Sequence, residues 1–169
     1  LADKVAEALP GSSTGDQAVL LLAEIEELRE RSQLAFSRLA QLIEARPGSP
    51  LLPAAFRQLA QIENIPFRFF ESQVNPWTED EAHPTRRALA LFYTGIVARQ
   101  SGAPDIALNA LDQFLKDFPL HPLTEEALLP HTEALLAARR LYEAGLAIRQ
   151  LPENAELPSV RQSLPHLEA

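Results

Sequence analysis

Four prolines constrain this chain more than any other feature. Pro50, Pro84, Pro122 and Pro158 fall 34, 38 and 36 residues apart, and each precedes a stretch that reads as helix. Proline suits the first turn of a helix, because its missing N–H would have no intrahelical partner there. Recurrence at this spacing therefore marks successive helix starts, with Ser49 and His83 standing where N-caps are expected. A second pair agrees with the first: Pro47 lies three residues before Pro50, and Pro119 three before Pro122. Arg46-Pro47-Gly48-Ser49-Pro50 and Phe118-Pro119-Leu120-His121-Pro122 thus read as one turn used twice. A period of this length holds two helices and their turns, the signature of a helical-hairpin repeat. The expected fold class is all-α, a right-handed α-α superhelix of stacked helical hairpins.

The rest of the chain divides around that period. Residues 1–15 read as a flexible N-terminal segment, with one or two helical turns over Asp3–Leu9 and a break at Pro10-Gly11-Ser12-Ser13-Thr14-Gly15. Asp16 is the expected cap of the next helix. Residues 16–46 contain no Pro or Gly, and Leu21, Ile25, Leu28, Ser32, Ala35, Leu39 and Leu42 follow a heptad-like spacing. That predicts a single helix of about 45 Å, its seam packing on the same chain or pairing with another copy. Three hairpins follow, over 47–83, 84–119 and 120–157. Their helices are expected over 50–63 and from Pro66, over 84–100 and 104–117, and over 122–137 and 140–150. Gly102 suits a left-handed C-terminal cap, and Pro130 should kink the helix that contains it. Residues 158–169 read as a capping segment.

Within 84–117 the pattern becomes specific. Ala88, Leu91, Phe92, Gly95 and Ile96 share one helix face, and Ala107, Ala110, Leu111 and Phe114 share another. Gly95 and Ala107 let the two backbones approach, and a shift of 37 maps Leu91 onto Leu128, Ala107 onto Ala144 and Leu111 onto Ile148. With the small–small–Pro spacing of Gly95, Ala107 and Pro119, and with Leu141-Tyr142-Glu143-Ala144, the chain resembles the tetratricopeptide repeat family over 84–151, and more loosely over 33–83. Phe114, Pro130 and Thr132 depart from that family's pattern. The paired-proline turn followed by Thr124-Glu125-Glu126-Ala127 is similar to a subgroup of bacterial envelope proteins. That subgroup includes outer-membrane assembly lipoproteins and a periplasmic coordinator of the Tol machinery. The resemblance implies a non-enzymatic scaffold of the bacterial periplasm or envelope that binds a peptide or helix of a protein partner. It places the partner groove along Leu89, Phe92, Ile96 and Arg99, continuing through Glu126, Leu129, Glu133 and Leu136.

Composition closes off several chemistries. With no Cys there is no disulfide, thiolate metal site or cysteine nucleophile. Fifteen Lys and Arg against 23 Asp and Glu give a net charge of −8, which disfavours a nucleic-acid partner. No apolar run is long enough for a transmembrane segment. The chain begins at Leu1 and contains no Met, which reads as a mature form or an excised fragment, and its Arg, Ala, Leu and Pro usage suggests a GC-rich bacterial genome. Gly11-Ser12-Ser13-Thr14-Gly15 matches the nucleophile elbow in letters, but no strand-like run precedes it, so it reads as linker. The four His show no metal spacing, and the acidic clusters at 24–30 and 79–81 read as solvated faces, so neither metal nor cofactor is expected.

One segment resists the pattern. Phe67, Phe69, Phe70 and Trp77 crowd into the least regular part of the sequence. They read either as a satellite core between the first two hairpins or as an aromatic anchor for a partner. Besides the interaction scaffold, two other functions are compatible with the sequence. One is an oligomerising module working through the helix at 16–46, and the other is an all-helical enzyme or ligand-binding domain.

Overall fold

The computed structural model describes residues 12–151, and every regular element among them is an α-helix. In chain order these are α1 (Ser13–Leu28), α2 (Ser32–Ala45), α3 (Leu52–Gln61), α4 (Phe67–Thr78), α5 (Pro84–Gln100), α6 (Pro104–Asp117), α7 (Thr124–Ala137) and α8 (Leu141–Ile148). Most helices pack on the next in sequence, α5 on α6 most extensively. A second set of contacts joins alternate helices: α1 to α3, α3 to α5 and α5 to α7. The odd-numbered helices therefore form one contiguous row. Helix α4 packs on α5 rather than closely on α3, and bulky rings fill the wider gap beside it: Trp77 meets Phe56 edge-on at 5.6 Å, and Phe70 meets Phe36 at 6.2 Å.

The turns carry the repeat in their backbone. Glu30, Asn64, Gly102 and Arg139 all have positive φ, between 59° and 73°, at spacings of 34, 38 and 37 residues. In three of these turns the hydrogen bonds are the same. Arg31 N–H donates to Glu26 O and Glu30 N–H to Glu27 O; the pairs Ala103–Ala98 with Gly102–Arg99, and Arg140–Leu135 with Arg139–Leu136, repeat that pattern. This is a Schellman stop, which satisfies the last carbonyls of one helix and reverses the chain into the next. The twin turns at 46–52 and 118–124 also match bond for bond. Ser49 Oγ accepts from Leu51 N–H at 3.2 Å, and His121 Nδ1 accepts from Leu123 N–H at 3.2 Å.

Several sequence expectations change. The helix expected over 16–46 is two helices, because the chain reverses at Arg29–Arg31 and α2 folds back onto α1. The heptad seam is split accordingly: Leu39 and Leu42 are buried in this chain, while Leu21 and Leu28 face solvent. Asp16 is not the cap. Ser12 accepts from Gly15 N–H, and Ser13, Thr14 and Gly15 lie inside α1, not in a linker. Helices α3 and α7 begin two residues after Pro50 and Pro122, since the twin turns occupy those positions, whereas α5 begins at Pro84 itself. The aromatic segment is regular helix α4, with Pro66 as its N-cap. Thr78 is the last residue of α4, and its Oγ1 donates to the Asn75 carbonyl at 2.7 Å. Helix α7 keeps its expected end at Ala137, with Pro130 buried inside it. The N-terminal 1–11 and the expected capping segment at 158–169 lie outside the described residues.

The core follows the row of helices. One cluster runs from Ala35, Phe36 and Leu39 through Phe56 and Leu59 to Leu91, Leu111 and Phe114. A smaller one joins Ala98, Ala107, Leu108, Ala134, Leu135 and Ala144, where small side chains let α5, α6, α7 and α8 meet. Phe36, Phe56 and Phe114 are almost wholly shielded, each contributing about 1.5–3 kcal/mol relative to exposure. No helix of the described residues is long and apolar enough to cross a membrane.

Candidate functional site

Two of the eight residues expected to line a groove on α5 and α7 lie in the core. Leu89 and Phe92 are buried, Phe92 against Phe114 at 5.6 Å and Tyr93 at 5.0 Å. Neither can touch a partner in the folded state, so both move from groove to core. The cause is the placement of α5, which is packed on from α3, α4, α6 and α7 and has little outer face left. Ile96, Leu129 and Leu136 are half-buried, and Glu126 is exposed. Arg99 and Glu133 are brought together at 2.9 Å, as a bridge from α5 to α7.

The aromatic set divides. Phe70 is buried, and Phe67 packs against the smaller core cluster. Phe69 and Trp77 instead line a cleft of about 460 Å³ between α2 and α4. Phe36 and Trp77 are its least exposed walls and form its bottom, with Ala40 half-buried beside them. Phe69, 42% exposed, and Pro76 bring apolar surface to the opening, and Phe69 is tilted on Phe36 at 5.2 Å. Ser37, Gln41, Glu44 and Gln73 make the polar rim. Helical spacing explains the grouping: 36, 37, 40, 41 and 44 lie on one face of α2, and 69, 73, 76 and 77 on one face of α4.

A polar cluster stiffens one end of this cleft. Trp77 Nε1 donates to Glu44 Oε2, and Arg86 Nη1 reaches the same oxygen at 3.3 Å. The same Nη1 donates to the Ile43 and Glu44 carbonyls, so a guanidinium from α5 caps the C-terminal end of α2. Arg86 also donates through Nε to Asp80 at 2.7 Å, and His83 Nδ1 lies 2.9 Å from that carboxylate. Burial alone pushes the Asp80 carboxyl up, but hydrogen bonds and charge from Arg86 and His83 outweigh it and hold it below the usual carboxylate range. Arg86 was legible only as one of many arginines. Its role depends on the carbonyls of a helix more than forty residues away.

A second polar feature lies at the other end of α1 and α2. Glu24, Glu27 and Glu63 converge near the first and second hairpin turns. Burial, then repulsion from Glu63 and Glu24, raises the Glu27 carboxyl. Elsewhere His131 pairs with Asp112 at 2.7 Å, and Asp16 accepts from Ser49 Oγ at 2.5 Å with Arg46 at 3.5 Å. No group of three His, Asp or Glu among the described residues is placed to hold a metal ion. Neither a protein-family model, nor a curated protein, nor a solved structure matches the chain.

Proposed function

We propose that the chain is a non-enzymatic interaction scaffold whose hairpins stack as a right-handed superhelix of the tetratricopeptide kind. The recurrence of left-handed turn residues at 34, 38 and 37 positions supports the stacking, as does the contiguous row of odd-numbered helices. A place in a bacterial envelope assembly follows from the resemblance of the paired-proline turn. The observation that carries the binding role is the α2/α4 cleft, where Phe69 and Pro76 hold apolar surface at the opening over a floor of Phe36 and Trp77. A side chain of a partner peptide entering there would shield ring surface that the fold leaves wet.

The test is panning of a displayed random peptide library, followed by amide chemical-shift mapping with a selected peptide. The largest shifts are expected at Ser37, Gln41 and Gln73. Phe69→Ala should weaken binding about ten-fold or more while the melting transition stays cooperative. Selected peptides that map to the α5/α7 face, or that bind Phe69→Ala as tightly as the parent, would remove the cleft from this reading.

A further inference from the structure

We infer that the occupant of the α2/α4 cleft is an arginine side chain of the partner peptide; the inference rests on the binding role proposed above. Among the described residues Glu44 is the one charged residue lining the cleft, and its side chain is 65% exposed. Its Oε2 is engaged by Trp77 Nε1 and Arg86 Nη1. Its Oε1 accepts no hydrogen bond from any described residue. One oxygen is therefore anchored by the fold, and the other has no donor among the described residues.

The rest of the lining suits a guanidinium better than an aliphatic group or an ammonium. Phe69, 42% exposed, offers aromatic surface on which a planar cation stacks with gain from the ring quadrupole, above the buried Trp77. Gln41 and Gln73 bring amide oxygens to the rim, and a guanidinium has five donors to share among them and Glu44 Oε1. An ammonium has three donors and a tighter hydration shell, and cannot stack as a plane. Among the described residues no cation lines the cleft; Arg86 reaches Glu44 Oε2 from behind it and shares its charge with Asp80 at 2.6 Å. With Asp80 balancing Arg86, and with −8 on the chain as a whole, the charge favours a basic partner over an acidic one.

The experiment uses one cleft-binding peptide from the selection, synthesised with arginine, its neutral isostere citrulline, or leucine at the position that enters the cleft. Affinities are measured by titration calorimetry on the full chain and on Glu44→Gln, which keeps an acceptor for Trp77 and Arg86. The arginine peptide should lose about ten-fold on Glu44→Gln, the scale of one charge-assisted hydrogen bond, and should weaken as salt rises. The citrulline peptide should bind the parent about ten-fold more weakly than the arginine peptide, and should be insensitive to Glu44→Gln. Equal binding of the three peptides, with Phe69→Ala still damaging, would overturn the arginine assignment and leave an apolar anchor in its place. If no selected peptide shifts Ser37, Gln41 or Gln73, the cleft reading fails as a whole, and the arginine assignment with it.

Discussion

Gly95 sits mid-helix in α5, where glycine is usually a liability of about 1 kcal/mol against alanine. Here the added methyl would land on the isobutyl group of Leu111, which α6 buries completely. Gly95→Ala should therefore destabilise by about 1–3 kcal/mol in urea unfolding, the cost of overpacking. In the double variant with Leu111→Ala that cost should shrink, because the clash partner is gone. A stabilised single variant would show that α5 and α6 are not in such close approach. His121 is the second residue with a definite prediction. Burial lowers its pKa, and its Nδ1 serves as an acceptor at the head of α7 while its ring stands edge-on to Phe114. The folded pKa lies below the unfolded value of about 6.5, so the unfolded chain binds more protons. His121 thus contributes fully above about pH 6.5, and its contribution falls as pH drops through that value toward the lower folded one. His121→Ser copies the residue of the twin turn, Ser49. The stability gap between parent and variant should narrow from pH 7.5 to pH 5.5; a gap that widens on acidification would refute the assignment.

At the scale of elements, the hairpin turns decide where helices stop. Glu30 holds φ 59° without being glycine, while Gly102 holds φ 73° at the same point of its hairpin. A side chain in the left-handed region costs roughly 1 kcal/mol. Glu30→Gly should therefore raise stability by a little under about 1 kcal/mol, after the extra freedom of glycine in the unfolded chain is deducted. Gly102→Ala should lower it by about 1 kcal/mol. Parallel denaturant curves would expose a wrong sign in either. Gly102 was legible in the sequence because only glycine adopts this conformation freely. Glu30 was not, since nothing in a Glu–Arg-rich run marks a reversal, and the heptad spacing across it suggested continuity. Helix α4 was obscured for a related reason: Pro66, Pro76 and four rings suggest irregularity, yet Pro66 lies at its N-cap, Phe69, Phe70 and Trp77 face α2 and α3, and Phe67 packs on the smaller core cluster.

Over the whole molecule, stability is distributed unevenly. Ten residues of α5 are buried, and among the described residues α3, α4, α6 and α7 pack on it. Helix α8 buries Ala144 alone and exposes Leu141, Tyr142 and Leu146. Native-state hydrogen exchange should find α8 amides opening well below the global unfolding energy and α5 amides near it. Equal protection of the two would mean that α8 is held by contacts the described residues do not make. The same unevenness explains why two of the eight candidate groove residues are buried. Helical periodicity identifies which residues share a face, but not how many neighbours cover it. Leu89 and Phe92 lie where a peripheral hairpin would present them to a partner, whereas α5 is central.

What the chain determines by itself is local. Proline fixes φ and removes an N–H, and glycine opens positive φ, each at a single residue, so the all-helical class, the hairpin period and the twin turns at 46–52 and 118–124 can be read without coordinates. The fate of polar and aromatic side chains is not local. Arg86 caps a helix forty residues upstream, Glu44 meets Trp77, and Phe69 and Trp77 share a cleft while Phe70 and Phe67 join the core. Those outcomes depend on which helix faces which, and that is settled only when every buried face has found cover at once.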